Sequence, residues 1–377
     1  MTHPAIPLSR RARTAIGTGA VLAVGVLTLA SCATPGASGP DADAGPRIVA
    51  TTTQVGDFTR ELVGDTAEVT QLLAAGQSAH GFDPSAAQLL ALADADALVV
   101  NGAGLESWLD DAVSASGFEG VLIDASTGIE LFATDDEHAE EQHAEDEHAE
   151  DEHAEDEHAA EDEHADEATD AADEHAEEDD HDESAHGDGN PHIWTDPELA
   201  EHMVENIGAG LATVPGIDEA AVAANEQAYL EELDALDAWI EENVEQVPVE
   251  QRLLVTNHDA FTYFIDAYDI TFVGSVIPSF DDNAEPSAAE IDELVANIRA
   301  TGVEAVFSEA SISPKAAETI AREAGVTVYS GDDALYGDSL GVAGSEGETY
   351  LGSQEHNVRL IVESWGVEPS ELPALLR

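Results

Sequence analysis

Residues 85–124 read SAAQLLALADADALVVNGAGLESWLDDAVSASGFEGVLID, and the apolar period changes three times along them. Residues 85–95 and 106–115 carry helical spacing, whereas 97–101 and 120–124 are short apolar runs bounded by turn residues, as buried strands are. Alternation of helix and strand at this spacing is the grammar of a parallel sheet. It extends upstream to a strand over 48–53. It returns downstream in strands over 253–256, 270–276, 305–308 and 326–330, with helices over 286–300 and 314–324. Two α/β lobes built on parallel sheets follow. Between them, residues 218–247 contain neither glycine nor proline, and Tyr229, Leu230, Leu233, Leu236 and Trp239 recur at helical spacing. One helix of about 45 Å is expected to join the lobes as a stiff spine.

The chain has 377 residues, of which 43% are apolar, enough for two ordinary cores. Eleven Lys and Arg stand against 81 Asp and Glu, a formal net charge of -70, and Lys315 is the only lysine. A surface of that sign repels nucleic acid and attracts metal cations. The first residues read as an export leader over 1–31, with Arg10, Arg11 and Arg13 ahead of an apolar run over 15–30. The run ends in Leu29-Ala30-Ser31-Cys32, which resembles a bacterial lipobox and would place lipid on Cys32 and the protein on the outer face of the cell membrane. The alternative is a plain secretory signal. Cys32 is the only cysteine, so a disulfide within one molecule is excluded, as is a thiolate site in the folded body. Residues 32–45, rich in Gly, Ala, Pro and Ser, read as a flexible tether.

The first lobe is assigned to residues 46–134 and 190–217 and the second to 248–377, with the linking helix over 218–247. Residues 135–189 interrupt the first lobe. They consist mostly of Ala, Glu, Asp and His, a composition that cannot form a core. His138, His143, His148, His153 and His158 recur every five residues, followed by His164, His175, His181 and His186. On a helix, five-residue spacing would turn successive imidazoles steadily around the axis. The expectation is a disordered tract collecting metal weakly; a solvated acidic linker is the alternative.

Outside that tract and the leader five histidines remain. His80 in AHGFDP, His192 in NPHIWTDP and His258 in VTNHDAF stand at strand-to-loop junctions, where α/β sheets bind ligands. Asp338 in YGDSLG could complete a set of three neutral imidazoles and one carboxylate, a donor set suited to Zn²⁺. An aspartate before serine is also ordinary turn chemistry. His202 and His356 fall on helical patterns and are expected to be surface or packing residues.

At these positions the chain resembles the zinc and manganese solute-binding lipoproteins of bacterial ABC importers, over nearly the whole mature length. The resemblance rests on His80-Gly81-Phe82-Asp83-Pro84, on Pro191-His192-Ile193-Trp194-Thr195-Asp196-Pro197, on His258-Asp259-Ala260-Phe261 and on Asp338-Ser339-Leu340-Gly341. NGAGLESWLD over 101–110 and FSEAS around Glu309 are also similar. It implies that His80, His192, His258 and Asp338 ligate one metal between the lobes, two from each. It further implies that Glu309 orients an imidazole through its free N–H, and that the protein is a monomer serving a membrane permease rather than an enzyme. Zinc-type relatives commonly carry an acidic histidine tract where this one lies, although here it is longer and more regular. A histidine at position 258, where manganese relatives more often place a carboxylate, favours zinc. Binding would weaken below about pH 6 to 6.5, where imidazoles protonate. Two other readings stay open: a surface zinc buffer or adhesin working through the tract, and a zinc hydrolase, for which no HExxH motif is present.

Overall fold

A computed structural model describes residues 45–132 and 189–377. Cys32 and the nine histidines from His138 to His186 lie outside the described residues, as do the leader and almost all of the tether and tract. The first lobe is built on four parallel strands, β1 (Arg47–Ala50), β2 (Glu68–Gln71), β3 (Ala97–Val100) and β4 (Val121–Asp124), in the order β2-β1-β3-β4. All four residues of β3 are buried, as expected of an inner strand covered on both faces. The edge strand β2, Glu-Val-Thr-Gln, has no buried residue, and its polar composition hid it from the sequence reading.

The strand expected over 48–53 stops at Ala50. Thr52 instead accepts a hydrogen bond from the Val55 amide and caps α1 (Thr53–Val63), the usual use of threonine at a helix start. Around the sheet pack α2 (Ala86–Ala93), opened by a capping box between Ser85 and Gln88, α3 (Leu109–Ser116) and α4 (Pro197–Leu211). The linking helix α5 runs over Glu219–Val244 and is capped by Asp218. At 26 residues its length is about 39 Å. It packs on α1 and α4 of the first lobe and, towards its end, on α9 (Tyr350–Ser364) of the second.

In the second lobe β5 (Leu253–His258) pairs in parallel with β6 (Thr271–Ile277), and β7 (Ala305–Phe307) with β8 (Thr327–Tyr329). β5 lies beside β7. α6 (Thr262–Ala267), α7 (Ala288–Thr301) and α8 (Lys315–Ala324) complete it. One apolar core runs from Ile48 and Phe58 through Leu236 and Trp239 to Phe264, Phe307 and Ile361, so it belongs to both lobes. A second, smaller core of Val276, Leu294, Ile298 and Ile320 lies under α7 and α8. A shared core joined by a rigid helix restricts the lobes to small displacements. Among the described residues no helix is long and apolar enough to cross a membrane.

Trp239 is 2% exposed in that shared core, and its indole N–H donates to the Ser370 carbonyl at 3.3 Å. Trp239→Ala is expected to cost about 3–5 kcal/mol of stability, measured as a lowered denaturant midpoint. A loss below about 1 kcal/mol would contradict the role given to α5 as a packed spine.

Candidate metal centre

His258 is the last residue of β5, so the parallel pairing that orders the strand also fixes the imidazole at its carboxyl end. His192 opens a single helical turn over Ile193–Thr195 that leads into α4. His80 sits in the loop between β2 and α2, where the Trp108 indole donates to the Ala79 carbonyl and Ser107 to that of His80. Asp338 lies in the loop between β8 and α9. Although distant in sequence, the four side chains come together, each offering one donor atom within 4.8 Å of the others.

The contacts are made through Nε2. His192 Nε2 lies 3.2 Å from that of His80 and 3.3 Å from that of His258. Asp338 Oδ1 is 3.0 Å from His192 Nε2 and 3.2 Å from His258 Nε2, and Oδ2 is 3.7 Å from His80 Nε2. Four donors bound tetrahedrally at 2.0–2.1 Å would be about 3.3 Å apart, so this spacing fits one small cation. His192, His258 and Asp338 side chains are fully buried, and that of His80 is 8% exposed. His80 is therefore the ligand candidate nearest solvent.

The far side of each inner imidazole is also fixed. His258 Nδ1 donates to Glu309 Oε1 at 2.7 Å, and the same oxygen accepts the His258 amide at 3.2 Å. His192 Nδ1 donates to the side-chain oxygen of Asn190 at 2.7 Å. With both Nδ1 atoms engaged, the lone pairs of two neutral imidazoles would point at each other and at a carboxylate. Neither oxygen of Asp338 has a hydrogen-bond partner of acceptable geometry, nor has Glu309 Oε2. Buried acceptors facing one another in this way are stabilised by a cation.

The charges are tuned unequally. Burial pushes His192 down to about 4, against the nearby Asp338. Burial would lower His258 too, but the carboxylates of Glu309 and Asp338 overcome it and hold that imidazole well above its usual range. Burial opposes the ionisation of Asp338, yet His258 and His192 beside it hold the carboxyl well below the usual carboxylate range.

The Asp338 loop, carried by the chain of the second lobe, bonds to both lobes. Leu335 pairs with Glu309 in the second lobe, its amide donating to the Ser308 carbonyl. Past that point the loop turns to the first lobe: the Gly337 carbonyl accepts from Gln54 Nε2 at 3.1 Å and Trp194 Nε1 at 3.2 Å. The Leu340 amide donates to Thr53 Oγ1 and the Gly76 amide to Ser339 Oγ. Asp338 thus sits on the seam. Gly337 is required there because a Cβ would lie 2.1 Å from Glu309 Oε2.

Asn190, Gln54, Trp194 and Gly337 were not singled out from sequence as supports of the site. Only Asn190 left a readable signal: an Asn two residues before a histidine is poised for the Asx turn seen here, with the His192 amide donating to Asn190 Oδ1 at 3.1 Å. His202 is exposed beside Glu205. His356 is buried, bonded to the Ala334 carbonyl and Glu346, so it packs the chain leading to Asp338.

Residues 48–364 match the family described as the periplasmic zinc-uptake complex component A, ZnuA. The chain is 26% identical over 343 residues to the manganese-binding lipoprotein MntA of Halalkalibacterium halodurans, covering 91% of this chain and 96% of that one. To the zinc-binding lipoprotein AdcA of Streptococcus pneumoniae it is 28% identical over 325 residues, which is 86% of this chain and 56% of AdcA. Among solved structures, the periplasmic zinc binding protein TroA from Treponema pallidum shares the fold, with a TM-score of 0.66 at 23% identity, covering 85% of this chain and 99% of that one. Other relatives bear the name of manganese ABC transporter substrate-binding lipoproteins. The chain belongs to the zinc-uptake component A family, whose members are metal-binding solute receptors of ABC importers rather than enzymes.

Proposed function

We propose that His80, His192, His258 and Asp338 bind one Zn²⁺ as the transported solute, and that the protein delivers it to an ABC permease while tethered to the outer face of the membrane through lipid on Cys32. The observation that carries this reading is the convergence of three imidazole Nε2 atoms and one carboxylate on a single buried point. Three nitrogen donors and one oxygen favour zinc over manganese on ligand softness and geometry. Both metals occur in the names of relatives. The lipoprotein names of MntA and AdcA support the anchor. Four protein donors close a tetrahedral shell, whereas a hydrolytic zinc keeps a position for water. Release would need only a small separation of the Asp338 loop, His80 and the His258–Glu309 pair, in keeping with the shared core.

The test is excision of residues 133–188. The two ends of that segment are joined in the fold, since the Asn190 amide donates to the Phe132 carbonyl at 2.9 Å, so the remainder is expected to fold. The excised protein is expected to retain one tightly held zinc per chain by metal analysis and competitive titration. Replacing His80, His192 or His258 by alanine in that background is expected to release it. Loss of nearly all binding on excision alone would instead support a surface buffer acting through the tract.

A further inference from the structure

Asn190 is the residue on which both inner ligand segments meet. Its backbone amide donates to the Phe132 carbonyl at 2.9 Å, and its own carbonyl accepts from the Tyr263 hydroxyl at 2.6 Å. Its side-chain oxygen accepts from the His192 amide at 3.1 Å and from His192 Nδ1 at 2.7 Å. Its side-chain nitrogen donates to the Asp259 carbonyl at 2.9 Å and to Thr262 Oγ1 at 2.9 Å. Every hydrogen-bonding group of a residue 5% exposed is therefore used. One half of the carboxamide faces His192 in the first lobe, and the other half faces the turn that follows His258 in the second.

We infer that Asn190 is a positioning residue of the metal centre: its oxygen fixes His192 with Nδ1 protonated and Nε2 turned to the metal, and its nitrogen locks that imidazole to the His258 turn. This rests on the zinc reading above and deepens it. An acceptor behind a ligating imidazole sets its tautomer and ring orientation. Glu309 does this for His258 within the second lobe, with a charge. Asn190 does it for His192 across the seam, without one. A carboxamide is suited to the place because it accepts on one edge and donates on the other. A carboxylate would keep the contact to His192 but lose both donors, turning an anion towards the Asp259 carbonyl. Orientation of His192 and closure of the seam are then one event, and opening the seam frees the imidazole to turn away.

The experiment compares Asn190→Ala, Asn190→Asp, Thr262→Val and His192→Ala in the full chain. Zinc affinity and dissociation rate are measured against a chelator strong enough to strip weak sites, and imidazole ¹⁵N spectra are recorded on the metal-free protein. The His192 signals, assigned by their loss in His192→Ala, are expected to show Nδ1–H with Nε2 bare in the parent. Asn190→Ala is expected to bind zinc about 10- to 100-fold more weakly and to lose that tautomer pattern. Asn190→Asp is expected to restore the pattern without restoring the dissociation rate. Thr262→Val is expected to keep the pattern and release zinc faster. Parent-like affinity and an unchanged His192 spectrum in Asn190→Ala would overturn the inference, as would a fall in thermal stability alone. Retention of tight zinc by His192→Ala would instead remove the zinc reading itself, so the two failures are separable.

Discussion

Asp338→Asn is expected to weaken metal binding by about 10²- to 10³-fold, the equivalent of roughly 3–4 kcal/mol, while leaving the protein folded. The carboxylate is the only anion among the four donors and is buried with two imidazoles within 3.2 Å. A neutral amide of the same shape keeps an oxygen in place but leaves the full charge of the ion on the three imidazoles. The loop itself should not collapse, because its backbone is held independently by Gln54, Trp194 and Thr53. Asn357 also brackets Tyr336, accepting its amide and donating to its carbonyl. Competitive titration of the Asp338→Asn protein, with circular dichroism as the control for folding, checks this. A folded variant with parent-like affinity would show that the carboxylate lies beside the ion rather than on it.

The site was more legible in sequence than the elements supporting it. His258 could be placed because an apolar run, Leu253–Thr256, leads directly into it, and a strand end is where α/β sheets carry ligands. The spine helix declared itself through Tyr229, Leu233, Leu236 and Trp239, all buried on one face. α1 did not, although it flanks the site. Val55, Phe58, Leu62 and Val63 stand at helical spacing, but Thr53, Gln54, Gly56, Asp57 and Thr59 between them are buried as well, a run of small and polar residues that reads from sequence as a loop. Its polar residues are inside because they serve distant partners: Gln54 the Gly337 carbonyl, Thr53 the Leu340 amide and Asp57 the Tyr350 amide. Such bonds span more than 280 residues of sequence and leave no local pattern. The helix expected from Glu106 begins instead at Leu109, because the Glu106 carboxylate turns inward to accept from Thr51 Oγ1 and the amides of Asn101 and Gly102. In turn Asn101 Nδ2 donates to the Pro191 carbonyl, holding the segment before His192.

The metal-free protein is expected to be more stable near pH 5 than at pH 7.5, the opposite of ordinary acid destabilisation. Burial shifts several carboxyl groups upward in the fold, Asp57, Asp196 and Glu201 among them. Burial pushes Asp57 up to about 6 and Asp196 to about 6, and burial with the neighbouring Asp234 takes Glu201 to about 7. A carboxyl whose folded value exceeds its unfolded value binds its proton more tightly in the native state. Its ionisation therefore opposes folding, and stability falls as pH rises from about 4, where the unfolded chain titrates, through the folded values of 6 to 7. His192 acts the other way. Lowered to about 4, it subtracts stability as pH falls below about 6.5, where the unfolded imidazole takes up its proton. The raised carboxyls, with His258 also held high, together outweigh the one lowered imidazole, so the net slope favours mild acid. Glu201 is only partly buried, and solvent screening reduces its share. Asp57 is the group to test, because it is 6% exposed and its shift corresponds to about 3 kcal/mol. Asp57→Asn keeps an acceptor for the Tyr350 amide while removing the charge. The variant is expected to melt several degrees higher than the parent at pH 7.5 but at or below the parent's temperature at pH 4.5, and so to flatten the profile. Equal pH profiles for variant and parent would mean that Asp57 ionises as freely inside the fold as in the unfolded chain.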